Sequence, residues 1–158
     1  MAEKKYFPIF IDISEKKIVV IGGGTIATRR VTALTQFSGQ IEVVAPSITP
    51  ELLQLVDNGE ITWIKEEYCP KQISEADIIL AATDQPEVNH RVKDDCEKLK
   101  IETGHNILVN IADDKSLCDF YFPSIIHYDE LVIGINSGGK SPGCVKETRE
   151  KIQSLLEK

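Results

Sequence analysis

The chain has 158 residues, with 18 Lys and Arg against 25 Asp and Glu, so its formal net charge is −7. That length holds one domain, or one domain with a small appendage. The acidic balance argues against duplex nucleic acid, which needs a basic footprint, and 42% hydrophobic residues exclude whole-chain disorder.

Lys17-Ile18-Val19-Val20-Ile21 is an unbroken β-branched run, the pattern of a parallel strand covered on both faces. Gly22-Gly23-Gly24 ends it, and a helix follows from Thr25, with Ile26, Ala27, Arg30, Val31 and Leu34 spaced along one side. Arg30 is expected to face inward and Arg29 outward. Ile41 to Ala45 is a second strand, stopped by Pro46. Thr49-Pro50-Glu51 reads as an N-cap with proline at the first helical position. Ile61 to Ile64 makes a third strand, followed by a loop through Tyr68, Cys69 and Pro70 and a polar turn at Ser74 to Ala76. Asp77 to Ala82 is the fourth strand, Pro86 to about Lys100 a helix, and Leu108 to Ile111 the fifth strand. Strands alternating with helices predict an open, mostly parallel α/β sheet.

Beyond Ala112 the texture changes. Phe120 to Phe122, Ile125-Ile126 and Leu131 to Ile135 read as short strands without full helices between them, with Asp129-Glu130 as a hairpin turn. They are expected to be antiparallel, joined to the sheet or forming a small adjoining layer. A last helix runs from about Pro142 to Leu156. The expected division is residues 1–113 for the dinucleotide-binding domain and 114–158 for a dimerisation and substrate-contacting segment.

No apolar run nears the ~18 residues of a membrane span, and Met1 to Phe10 carries no signal-like apolar region. Cys69, Cys96, Cys118 and Cys144 form no C-x-x-C pair, and His90, His105 and His127 form no ligand spacing, so no metal set is expected. The thiols read as buried or half-buried and a cytoplasmic setting is expected.

Gly22 to Ala27 satisfies G-x-G-x-x-A, directly after an apolar strand and directly before an amphipathic helix. Gly22 makes the tight turn, Gly24 leaves room for a pyrophosphate, and Ala27 lets helix and strand pack. The phosphates meet the helix N-terminus at Thr25 and Ile26, where unpaired amides favour an anion. The acid that often holds the adenosine ribose is absent from the second strand end, where Ala45 and Pro46 stand. No arginine marks a 2′-phosphate there either, so NAD and NADP are not separated by this strand. Other strand ends should line the same crevice. Thr83-Asp84 ends the fourth, with Asn89 placed to brace that loop or touch the cofactor. Asp113-Asp114 ends the fifth, either as a proton acceptor beside a hydride step or as a solvated turn. Gly134 to Ser141 formally fits a P-loop, G-x-x-x-x-G-K-S, but Pro142 follows at once and no acid is placed for magnesium. Its better use is a flexible anion-contacting loop.

Together these residues resemble the precorrin-2 dehydrogenases, the dehydrogenase part of sirohaem synthases. The resemblance is carried by Phe7-Pro8-Ile9-Phe10, Val20 to Arg30, Val43-Val44-Ala45-Pro46, Ala81-Ala82-Thr83-Asp84 with Val88-Asn89, Val109 to Asp113, Leu117 to Phe120 with Phe122-Pro123-Ser124, and Ser137 to Pro142. It implies a Rossmann-like fold that uses NAD to oxidise precorrin-2 to sirohydrochlorin. Some members also insert ferrous iron at the same site. The essential aspartate falls on Asp113. Donors for the tetrapyrrole's carboxylates fall on Arg29, Ser124, His127, Ser137, Gly138, Gly139 and Lys140, with Lys146 and Arg149 as further candidates. A homodimer is implied, as is a separate ferrochelatase or methyltransferase of the same pathway as a partner. Longer members continue into a helical region that is truncated or absent here, and Lys140 stands where members tend to have a neutral residue. Two alternatives stay open: a bifunctional dehydrogenase and ferrochelatase, and a nucleotide- or tetrapyrrole-binding module without turnover.

Overall fold

The structure is a computed structural model and describes residues 5–157. Residues 1–4, part of the expected leaderless N-terminus, and residue 158 lie outside the described residues. The chain divides into two compact units, one of residues 9–120 and one of residues 121–157 together with 5–8.

The larger unit holds β1 (Ile18–Ile21), α1 (Thr25–Leu34), β2 (Ile41–Val44), α2 (Pro50–Asp57), β3 (Thr62–Ile64), β4 (Ile78–Ala81), α3 (Pro86–Thr103) and β5 (Leu108–Ile111). The five strands form one parallel sheet in the order β3-β2-β1-β4-β5. β1 and β4 are buried along their whole length, as their unbroken apolar runs require. α1 covers the sheet with Ala27, Val31 and Leu34. A core of Val19, Ile21, Ile79, Val92, Cys96, Val109 and Ile111 joins β1, β4 and β5 to α3. The inward stripe of α3 also carries two polar residues, Asn89 and Asp95.

Short 3-10 turns at Pro70–Ile73 and Lys115–Leu117 complete this unit. The first was not anticipated. Residues 118–120 double back along β5: Asp119 N–H donates to Val109 O at 2.8 Å, and Asp119 Oδ2 accepts from Val109 N–H at 2.9 Å. Cys118 Sγ receives Ile111 N–H at 3.2 Å, and Asn110 Nδ2 donates to Phe120 O at 2.8 Å. These bonds explain why the larger unit extends to Phe120 and does not end at Asp113. They also explain why Phe120 to Phe122, expected as a strand, is irregular.

The smaller unit is an antiparallel hairpin of β6 (Ser124–Tyr128) and β7 (Leu131–Ile135), followed by α4 (Pro142–Leu156), which packs on β6. Asp129, in the expected turn, takes the left-handed region at φ +49°. The hairpin is a separate two-stranded sheet rather than an extension of the large one.

Candidate functional site

Strand order reverses between β1 and β4, and in open α/β sheets ligands bind outside the strand ends at that point. A cleft of about 680 Å³ lies there. Gly22, Gly24, Thr25, Ile26, Ala45, Pro46, Thr83 and Asp84, eight of the nine residues expected at a cofactor, line it.

The three glycines do different work. Gly22 has φ +119°, and a Cβ there would meet the Ala82 carbonyl, with its carbon only 2.7 Å away. Gly23, which fills the unspecified place in the motif, is equally constrained: a Cβ would strike Ser47 O and come 2.9 Å from Ile48 Cγ2. A Cβ on Gly24 would meet nothing within 4 Å. Gly22 and Gly23 are therefore needed for the protein's own packing, and Gly24 borders the open cleft. Gly24 is also the N-cap of α1, with no side-chain cap bond and no acid in the first turn, so the helix end keeps its electropositive character. These residues fit a pyrophosphate.

The turn is braced from below. Thr28 Oγ1 donates to Gly24 O at 2.8 Å and lies 2.7 Å from Thr49 Oγ1, while Thr49 N–H donates to Gly23 O at 3.1 Å. Thr49 also caps α2 as expected, accepting Leu52 N–H at 3.3 Å. Arg29 is exposed and Arg30 half-buried. Loss of hydration, with Arg29 nearby, lowers the pKa of the Arg30 guanidinium.

Glu67, Tyr68 and Arg91 also line the cleft, and no local pattern in the sequence points to them. The tyrosine hydroxyl donates to Asp95 Oδ2 at 3.1 Å, and Arg91 Nε lies 3.6 Å from the same oxygen. Arg91 also stands over the Tyr68 ring at 5.8 Å. Burial and the adjacent Asp95 carboxylate push the Tyr68 phenol up, so it stays a neutral donor. Buried polar side chains on α3 could have drawn attention to this set only once the helix face was known.

Asn89, the ninth expected residue, is fully buried beneath the β4 end. Its Oδ1 accepts from Thr83 N–H at 3.1 Å and from Thr83 Oγ1 at 2.8 Å. Its Nδ2 donates to Thr83 O at 3.1 Å and to Asp113 Oδ1 at 2.6 Å. Asp113 is exposed, so the chemical group is open while its position is fixed from inside.

In the smaller unit, Ser124 pairs with Ile135, and the loop Ser137-Gly138-Gly139-Lys140 leaves β7 just beyond that pair. Ser137 Oγ accepts from Ser141 N–H at 3.1 Å, and Gly138 and Gly139 both take positive φ. His127 pairs with Val132 next to the turn, three residues up the strand from Ser124, or roughly 10 Å at strand rise. The hairpin therefore groups Ser124 with the glycine loop and holds His127 apart. Arg149 Nε is buried without a hydrogen-bond partner among the described residues. Of the four thiols, Cys96 and Cys118 are buried, Cys69 is half-buried and Cys144 is exposed.

The fold and the cleft define a dinucleotide-binding α/β protein of the Rossmann type. A family model described as "Putative NAD(P)-binding" matches residues 9–124, and the chain belongs to that family. It is 36% identical over 151 residues to siroheme synthase 1 of Serratia proteamaculans (strain 568), covering 96% of this chain and 30% of that protein. It is 37% identical over 151 residues to siroheme synthase 3 of Aeromonas hydrophila, covering 96% and 31%. The chain thus spans about 30% of the length of the curated relatives it matches. Among solved structures, "SirC, precorrin-2 dehydrogenase" matches with a TM-score of 0.75 and 26% identity, over 95% of this chain and 71% of that one.

Proposed function

We propose that the protein is an NAD-dependent dehydrogenase that oxidises precorrin-2 to sirohydrochlorin on the route to sirohaem. The observation that carries this is the pairing of an open glycine cradle with a tethered carboxylate. Gly24 borders the cleft without filling it, and Asp113 is tied by Asn89 to Thr83 on the cleft wall. The names of the siroheme synthase relatives and of the SirC structure support the same reading.

Bound NAD supplies a two-electron acceptor. The substrate loses one C–H as hydride and a second hydrogen as a proton, giving sirohydrochlorin, NADH and a proton. The chain's own part is to orient and to receive that proton. Gly24 and the first amides of α1 would hold the pyrophosphate, and Thr83 and Asp84, which also line the cleft, would border the nicotinamide. The Asp113 carboxylate accepts the proton and releases it to solvent, to which it is exposed. The β2 end, Ala45-Pro46-Ser47, does not separate the two cofactors, and NAD is favoured over NADP by the arginine of the cleft lining: Arg91 is already matched by Asp95. Donors for carboxylate groups of the substrate are proposed in each unit by itself: Arg29 in the larger, and in the smaller Ser124 with the Ser137 to Lys140 loop, and His127 apart from them. The reaction belongs to the cytoplasm. Leu131 and Leu155, exposed on the hairpin and α4, support a homodimer formed through the smaller unit, which a purely monomeric sedimentation profile at micromolar protein would refute.

The test is anaerobic incubation with freshly generated precorrin-2 and NAD, following the absorbance of NADH and sirohydrochlorin together. Matched, protein-dependent growth of both is expected, with NADP a poorer substitute. NAD binding without any turnover would overturn the enzyme reading in favour of a binding module.

A further inference from the structure

Asn89 is unusual among the residues near the cleft. It is completely buried, yet its side chain makes four hydrogen bonds and touches a candidate reacting group. Its orientation is dictated by chemistry. The Thr83 backbone N–H can only donate and the Thr83 carbonyl can only accept, so Oδ1 must face the first and Nδ2 the second. A flipped amide would lose both bonds in a buried setting. With Nδ2 fixed, the 2.6 Å contact to Asp113 Oδ1 has one polarity: the amide donates and the carboxylate accepts.

Resting on the dehydrogenase reading, we propose that Asn89 is a positioning residue that sets which oxygen of Asp113 takes the proton. Oδ1 is engaged by the amide, so the proton arrives on Oδ2. Thr83 forms both the wall of the cofactor cleft and the clamp on Asn89. The proton acceptor is thereby registered to the strand end that lines the cleft. Elements from three parts of the chain meet in this one amide: the β4 end, α3 and the loop after β5.

The discriminating variant is Asn89→Asp. It keeps an oxygen for Thr83 N–H but turns a second carboxylate oxygen toward Asp113, so that the two acids share one proton. The acid limb of the kcat profile should move up by about one pH unit or more. NAD affinity, read by titration, should change less than about threefold, because the Thr83 loop keeps its acceptor. Other charged groups on these elements are Asp84 after β4, His90 and Arg91 on α3, and Asp114 and Lys115 beyond Asp113. His90 Nε2 lies 3.6 Å from Asp114 Oδ2, so His90→Gln serves as the control for that contact.

An unchanged acid limb in Asn89→Asp, or losses of kcat and NAD affinity in equal proportion, would overturn the proposal and leave a structural role. A second measurement needs no turnover. In the exchange variant, Asn89→Asp with Asp113→Asn, one donor again faces one acceptor. Both Asn89→Asp and the exchange variant lose the donor to Thr83 O, so the informative comparison is between them: the exchange variant's urea midpoint should lie above that of Asn89→Asp alone, and a midpoint no higher would refute the contact. If the wild-type protein does not oxidise precorrin-2, the dehydrogenase reading fails by itself, and this stability cycle still decides the Asn89–Asp113 contact.

Discussion

Replacing Gly22 with Ala separates the glycines that build the fold from the one that serves a ligand. At Gly22 an added methyl would sit 2.7 Å from the Ala82 carbonyl carbon, inside the 3.0 Å below which real Cβ contacts essentially never occur. The obstacle is backbone of β4's end, which cannot swing away as a side-chain tip can. The φ of +119° adds strain of order 1–3 kcal/mol for any residue with a Cβ. Forcing a methyl into packed backbone costs about 1–3 kcal/mol more. A loss of roughly 2–6 kcal/mol is expected, which at a urea slope of about 2 kcal/mol/M lowers the midpoint by roughly 1–3 M. The sole tryptophan, Trp63, is the probe. It lies in β3, its Nε1 donating to Ala45 O at 2.9 Å, so its fluorescence follows the unit that contains Gly22. Gly24→Ala is the paired control. Its methyl meets nothing, so stability falls only by the ~0.5–1 kcal/mol of a poorer N-cap, while NAD affinity drops at least tenfold. Equal midpoints for Gly22→Ala and wild type, or loss of the fold in Gly24→Ala, would refute this assignment of roles.

Asp113→Asn should lower kcat by about 10²–10⁴ and leave the NAD dissociation constant within threefold, as measured by turnover and by titration in parallel. Trp63→Phe removes the bond to the Ala45 carbonyl and should cost about 1 kcal/mol in urea unfolding followed by circular dichroism. Burial pushes the Cys96 thiol up from 9.0 to about 12, so the unfolded chain loses that proton first as pH rises. Stability should therefore fall between about pH 9 and 12, by at most about 1.4 kcal/mol per unit, and Cys96→Ala should flatten that slope in unfolding curves taken across the range. An aromatic disulfide reagent at pH 8 should titrate the exposed Cys144 quickly and reach Cys96 and Cys118 only after denaturation.

The parallel strands were legible because burial on both faces leaves an unbroken β-branched run, and β1 and β2 fall within a residue of their expected ends. The cleft's glycine side was legible for a similar reason: a motif of consecutive residues is local. Gly23 escaped because its constraint comes from Ser47 and Ile48, which approach only in the folded state. Glu67, Tyr68 and Arg91 escaped because they reach the cleft from beyond β3 and from α3, and nothing in their sequence neighbourhoods joins them. Phe120 to Phe122 misled through composition. Aromatic residues favour strands, but the preceding residues had already been committed to side-chain bonds with β5.

Those bonds carry a consequence for how copies of the molecule meet. β5 is an outer strand of the sheet, and a bare outer strand offers its backbone as a template for another chain. Here Val109 N–H is taken by the Asp119 carboxylate and Ile111 N–H by the Cys118 sulfur, so neither is available for an incoming strand. At the far side, β3 is only three residues long. The β5 edge is thereby closed to an incoming strand, and the short β3 leaves little template at the other edge, both of which work against fibrous stacking.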